Sequence, residues 1–195
     1  MTDTDARVGT PSPDQGSVAY RYLTAQSGDW DDVVALQSEA FHEEIGQEWS
    51  ANHRLVTEPG RTVLVRPPSG LPAGTGSAYT RDLVVPGGTV PAAHLTMVAV
   101  SAVHRRRGIL RQMISLLHQD AARRGEPVAV LCASEGRIYQ RFGYGLAATR
   151  LVMDFDTRDV SLRAAAAPTG DGGRIRQGAP ADLDPLVQVF ERAQR

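Results

Sequence analysis

The stretch that decides the fold is Val98-Ala-Val-Ser-Ala-Val-His-Arg-Arg-Arg-Gly-Ile-Leu-Arg-Gln-Met-Ile-Ser-Leu-Leu-His-Gln-Asp-Ala121. Its first residues close the apolar run His94–Val100 (HLTMVAV), which reads as a buried strand. Beyond Gly108, apolar residues at Ile109, Leu110, Met113, Ile114, Leu117 and Ala121 fall on one face of a helix. A strand feeding an arginine-rich turn and then a buried helix gathers unpaired N–H groups and guanidinium forks at a helix N-terminus, which is an anion site. Gly108 permits close approach of the backbone there, and Arg105, Arg106, Arg107 and Arg111 can surround two or three phosphates. A glycine-bearing turn without lysine favours a pyrophosphate held by amides. The competing readings are a solvated basic helix start and a nucleic-acid patch. Against the latter stand the acidic balance of the chain and the lack of aromatic residues among the arginines.

Working outward, Val18–Leu23 alternates like a strand, and Asp29 stands as an N-cap before Val33, Val34, Leu36, Ala40 and Phe41, spaced as a helix face. Arg61–Arg66 reads as a strand, Pro67–Gly76 as a loop, Ser77–Val85 as a strand and Pro86-Gly87-Gly88 as a hairpin turn, giving three antiparallel strands with His94–Val100. Downstream, Glu126-Pro127 ends the central helix, and Val128–Cys132 is another buried strand in which Cys132 is a small buried residue. Ser134-Glu135 starts a short helix ending near Phe142-Gly143, and Thr149–Phe155 is a last strand. The expected fold is α/β (α+β): a mixed, mostly antiparallel sheet flanked by helices. Residues 1–16 have the composition of a disordered tail, 17–160 form the domain, and 161–173 form a linker. The remainder, 174–195, echoes the start of the domain: Arg21, Asp29, Asp31, Val34 and Ala40 recur 153 residues on as Arg174, Asp182, Asp184, Val187 and Ala193. A second copy begins here, or a capped amphipathic helix following a strand simply resembles another.

Composition narrows the chemistry. A chain of 195 residues, 42% hydrophobic and 22% charged, is enough for one full domain and a remainder without disulfide support. The single cysteine can form neither an internal bridge nor a cysteine-rich zinc site, and it makes a reducing compartment, the cytoplasm, the simpler expectation. No apolar run approaches the ~18 residues of a membrane helix. A net charge of −1 provides no global field for nucleic acid or a membrane surface. All 21 basic residues are arginine, which excludes a lysine-terminated phosphate loop, a Schiff-base lysine and a lysine general base. His42-Glu43-Glu44 lacks the second histidine of a zinc protease motif, and the five histidines are scattered, so no metal is expected.

His104-Arg-Arg-Arg-Gly-Ile-Leu-Arg111, preceded by Val98-Ala-Val100 and followed by Ala133-Ser-Glu-Gly-Arg-Ile-Tyr-Gln-Arg-Phe-Gly-Tyr-Gly145, resembles the GNAT acetyltransferases and, more narrowly, the mycobacterial Eis (enhanced intracellular survival) group. The general pattern, Gln/Arg-x-x-Gly-x-Gly/Ala, starts at Arg105. It has Gly108 in place and Leu110 at the final small position, a departure shared with the Eis group. The resemblance covers about residues 18–160 and is most specific in the tyrosine segment.

It implies a GNAT fold with acetyl-CoA as cosubstrate and no metal. Val98, Ala99 and Val100 would bond the pantetheine arm through their backbone, and Arg106, Arg107, Gly108, Ile109, Leu110 and Arg111 would hold the pyrophosphate. Ser134 and Glu135 would line the thioester, and Tyr139 would be the general acid, since a phenol is protonated at neutral pH. Tyr144, at a turn, is assigned to packing. Glu43 or Glu44 matches an acidic acceptor-binding position of the Eis group, with a solvated helix end as the alternative. The acceptor would be an amine of aminoglycoside, polyamine or lysine type. Eis-type enzymes resemble two fused GNAT units followed by a further domain, assemble as hexamers, and use a terminal carboxylate as base. A chain ending at Arg195 would stop just inside the second unit, leaving base and homo-oligomeric interface incomplete. Two other classes are carried alongside: a non-catalytic acyl-CoA-binding or regulatory module, and a nucleic-acid-binding domain using the arginine turn.

Overall fold

Leu64 and Val65 are neighbours in one strand, and each belongs to a different apolar cluster. Leu64 packs with Ala25, Trp30, Val33 and Met97, Val65 with Ala73, Ile109 and Met113. Successive strand residues face opposite sides of a sheet, so this sheet is covered by helices on both faces. A computed structural model of the chain describes residues 19–68, 70–154, 156, 158 and 176–193. The expected tail 1–16 and linker 161–173 lie outside the described residues, as do Val18, Phe155 and Arg174.

Five strands, β1 (Arg21–Thr24), β2 (Thr62–Arg66), β3 (Gly74–Val85), β4 (Gly88–Val100) and β5 (Val128–Leu131), lie in that order in one sheet. β1–β2 and β2–β3 pair antiparallel. β3 and β4 are joined by the two-residue turn Pro86-Gly87, a connection only antiparallel strands can make. β4 and β5 pair parallel, with Ala92 opposite Val128 and Leu95 opposite Leu131. The helices are α1 (Trp30–Phe41), α2 (Gln47–Val56), α3 (Ile109–Arg123), the single turn α4 (Gly136–Tyr139) and α5 (Leu183–Ala193). The sheet is therefore mixed and mostly antiparallel, and α3 buries Ile109, Met113, Ile114, Leu117 and Ala121 of the face its periodicity names, with Leu110 half-buried.

Contacts divide the chain into two compact units: the described residues up to Arg81 with Pro91–Cys132, and Asp82–Val90 with the described residues from Ala133 on. In the first, Arg61 is the polar centre. Only 3% exposed, it donates to both oxygens of Glu126 (2.8 and 2.6 Å), to Asp120 (3.1 Å) and to the Thr80 hydroxyl (2.8 Å), tying β2, β3, α3 and the approach to β5. Glu58 adds two bonds to Thr80, accepting from its N–H at 2.6 Å and its hydroxyl at 2.7 Å.

Several expectations are corrected. β3 begins at Gly74, inside the segment expected to be loop, because α3 lies against the glycines. A Cβ on Gly74 would stand 2.9 Å from Ile109 Cγ2, and one on Gly76 would stand 3.2 Å from Leu117 Cδ1. Gly74→Ala is accordingly expected to destabilise by about 1–3 kcal/mol, read from the urea midpoint. Asp29 stands at the N-cap position of α1, as expected, but its side chain makes no cap bond to that helix. Its carboxylate accepts the Gln26 N–H at 2.8 Å, closing the preceding 3₁₀ turn, and pairs with Arg66. Phe41, expected on the apolar face, is 43% exposed, and Gln37 is buried instead. β5 stops at Leu131, one residue short, and leaves Cys132 exposed. Residues 149–154 form no strand, and Leu151, Val152 and Met153 are 62–81% exposed, an apolar run with no strand partner among the described residues.

In the second unit, residues 179–193 repeat the local design of residues 26–40. A 3₁₀ turn, Pro180–Asp182, stands where Ser27–Asp29 stands, and Asp182 accepts the Ala179 N–H at 2.7 Å as Asp29 accepts that of Gln26. A helix follows directly in both cases.

Candidate functional site

The site builds from β4. Its pairing with β5 ends at Leu95, and β4 runs on for five residues, Thr96–Val100, whose polar backbone on that side has no strand neighbour among the described residues. Within this stretch Met97 takes a left-handed φ of 51°, which breaks the pleat, and its carbonyl accepts a bond from buried Gln37 Nε2 at 2.7 Å. Ala99 is buried, Val98 and Val100 half-buried, so their side chains serve the core while their backbone forms the edge.

The turn after β4 is held at both ends. Ser101 N–H donates to Ala73 O (3.0 Å), its hydroxyl to Glu39 Oε1 (2.7 Å), and Ala102 N–H to the same Glu39 oxygen (3.2 Å). The Tyr20 hydroxyl lies 3.0 Å from His104 Nδ1. Arg106 and Gly108 then adopt left-handed φ values of 61° and 80°. For arginine this conformation costs about 1–2 kcal/mol, and such residues build the concave N–H arrangements that bind anions. The first bond inside α3 is Gln112 N–H to Gly108 O at 3.1 Å, and Gly108 caps with no side chain, so the first-turn N–H groups have no helical acceptor. Arg105, Arg106, Arg107 and Arg111 are exposed, and among the described residues none of them is in an ion pair. Ile109 is 1% exposed and can offer only backbone to a ligand, whereas Leu110 is half-buried. The expected pyrophosphate residues thus form one continuous turn with the expected strand residues.

In the second unit Ser134 and Glu135 are exposed at the start of α4, and Tyr139 is its last residue. The Tyr139 ring meets Tyr144 edge-on at 5.9 Å, in line with the packing role expected of Tyr144. Burial, with the Glu135 charge adding to it, raises the Tyr139 phenol above its usual value, and burial does the same to Tyr144.

Two cavities flank α1 in the first unit. One, of about 200 Å³, is lined by Gln37, Phe41, Glu43, Glu44, Ile45 and Trp49 and puts two carboxylates beside two aromatic rings. The other, of about 250 Å³, lies by Trp30, Val33, Arg54 and Thr57 and holds none of the expected cofactor-binding or catalytic residues. Sequence reasoning missed Gln37 and Glu39, whose partners lie about sixty residues away and leave no local signal. Among the described residues no three His, Cys, Asp or Glu side chains are grouped to hold a metal ion, and no helix is long and apolar enough to cross a membrane.

A strand edge opened beside an arginine-lined helix start defines the class, and residues 20–147 match the acetyltransferase (GNAT) domain: the chain belongs to that family. It is 42% identical over 149 residues to the N-acetyltransferase Eis of Mycobacterium tuberculosis, covering 74% of this chain and 37% of that protein. It is 47% identical over 121 residues to an uncharacterized N-acetyltransferase of Streptomyces avermitilis, covering 61% of this chain and 29% of that one. The crystal structure of Eis1 from Mycobacterium abscessus superposes with a TM-score of 0.58 at 34% identity, covering 66% of this chain and 32% of that one. The chain spans about a third of the length of these relatives.

Proposed function

We propose that this domain binds acetyl-CoA and transfers its acetyl group to an amine. The observation that carries the reading is the continuity of the free β4 edge, Thr96–Val100, with the turn of unpaired donors and arginines at Arg105–Arg111. The edge suits an extended, amide-bearing arm such as pantetheine, which adds to a sheet as a strand does. The turn suits a diphosphate. Acetyl-CoA would supply the activated thioester. In direct transfer, the amine nitrogen bonds to the acetyl carbon, the carbon–sulfur bond breaks, and the amine gives up a proton to solvent or base. Tyr139 protonates the departing thiolate and is itself reprotonated from solvent. Ser134 and Glu135, matched through the family motif, line the thioester end.

The acidic cavity by α1 supports a cationic acceptor: Glu43 and Glu44 offer charge, and Phe41 and Trp49 offer ring faces that attract ammonium groups. This fits amines of aminoglycoside, polyamine or lysine type. The repeated turn and helix at 179–193 support reading 174–195 as the opening of a second GNAT-like unit. The alternative reading of the same edge and turn is a module that binds acyl-CoA without turnover.

Calorimetric titration of acetyl-CoA into the 195-residue chain tests the reading. Saturable binding is expected, weakened about tenfold or more by Arg106→Ala through loss of a charge-assisted contact. A folded chain that binds no acetyl-CoA would defeat the proposal. Release of free thiol when an amine is added separates an enzyme from a binding module.

A further inference from the structure

The segment proposed to meet the cofactor is pinned from outside the family motif. α1 reaches it twice: Gln37 holds the carbonyl of Met97, and Glu39 holds both the Ser101 hydroxyl and the Ala102 N–H through one oxygen. The free stretch Val98–Val100 lies between these anchors, and the arginine turn begins where Glu39 lets go. We propose that Glu39 is a positioning residue for acetyl-CoA: it fixes the junction of β4 with the arginine turn, so that strand edge and diphosphate turn are presented at a set spacing. The proposal rests on the acetyl-CoA reading above.

The physical argument is preorganisation. A ligand that binds along a strand and into a turn must find both in register, and any freedom at the junction is lost on binding, at a cost in affinity. Ser101 is 3% exposed and its N–H is already held by Ala73, so the Glu39 carboxylate completes a three-bond knot at the residue where strand becomes turn. Glu39 itself is exposed and carries no core packing, which separates its contribution from that of a buried residue.

Its charge sharpens the test. A carboxylate close to a diphosphate site repels the ligand, so an electrostatic role alone predicts tighter binding when Glu39 is either neutralised or removed. A positioning role predicts that Glu39→Gln, whose side-chain carbonyl can accept the same two bonds, binds acetyl-CoA within about twofold of wild type or more tightly. Under the same role, Glu39→Ala binds about tenfold more weakly. The experiment is calorimetric titration of acetyl-CoA into wild type, Glu39→Gln and Glu39→Ala, with melting temperatures and amide hydrogen exchange of residues 97–108 on the same samples. The expected result is a melting temperature lowered by no more than a few degrees in Glu39→Ala, where the buried Ser101 hydroxyl loses its acceptor, faster exchange at 97–108 in Glu39→Ala alone, and rescue of affinity by Gln. Equal or tighter binding by Glu39→Ala overturns the proposal, and so does equal weakening of both variants. Absence of binding by wild type overturns the acetyl-CoA reading itself.

Discussion

Tyr139→Phe is expected to lower kcat for acetyl transfer by about 10²–10⁴, the range that one general acid supplies, while acetyl-CoA affinity stays near that of wild type. The substitution removes one oxygen and keeps the ring, so the edge-on packing against Tyr144 survives. Burial and the neighbouring Glu135 charge raise the Tyr139 phenol above its ordinary value. A raised phenol keeps its proton longer as pH climbs, so the alkaline limb of kcat assigned to this group should lie above pH ~10, the unperturbed value. Steady-state rates with saturating amine between neutral and alkaline pH check both statements. A Phe variant as fast as wild type would remove Tyr139 from the chemistry.

Arg61→Met should cost about 3–5 kcal/mol of stability, because it leaves Glu126 buried without its cation and removes one of the donors to Asp120, which keeps Arg123 and Arg124, and the donor to the Thr80 hydroxyl. Urea unfolding measures the loss, and adding Glu126→Gln should recover part of it by neutralising the stranded charge. The same network sets an acid limit. Burial works against the charges of Glu58 and Asp120, but Thr80's hydrogen bonds to Glu58, Arg124's bond and charge at Asp120, and the Arg61 charge outweigh it and hold both carboxyls below their usual values. Groups lowered by folding contribute stability above their unfolded values, near pH 4, and that contribution is lost as pH falls through the folded ones.

How much of this was legible depended on whether the cause was local. α3 and the arginine turn declared themselves, because a buried helix face imposes its own spacing and Gly108 marks the start. α2 was not read from the sequence: it buries no residue, and what holds it is the stacking of Trp49 on His53 together with bonds from Trp30 Nε1 to the Ser50 hydroxyl (2.9 Å) and from Arg54 to the Ser27 carbonyl (3.2 Å), the last two spanning twenty residues or more and leaving no local signal. Gly74 and Gly76 read as loop residues because glycine is a loop signal, yet here it answers to a helix lying across the strand. Thr149–Phe155 read as a strand, yet a short apolar run such as Leu151–Met153 does not say whether a neighbour exists to pair with it. Tyr139 and the donors at Arg106–Arg111 could be named from the motif. The Gln37 and Glu39 anchors could not, since only the folded chain brings α1 to β4.

α5 carries the same lesson into energetics. Leu183, Leu186, Val189 and Phe190 occupy the positions that Trp30, Val33, Leu36 and Gln37 occupy in α1, yet the first four are 56–65% exposed and the second four are buried. Nucleating a helix in water is unfavourable, and an isolated helix shorter than about 12–15 residues is marginal even in a good sequence. Helix α1 escapes that limit through the sheet beneath it. The eleven residues of α5 have the Asp182 turn and an acidic first turn to start them, and no burial to propagate them. Their helix–coil equilibrium is therefore set by whatever surface covers the stripe, and only secondarily by the residues themselves.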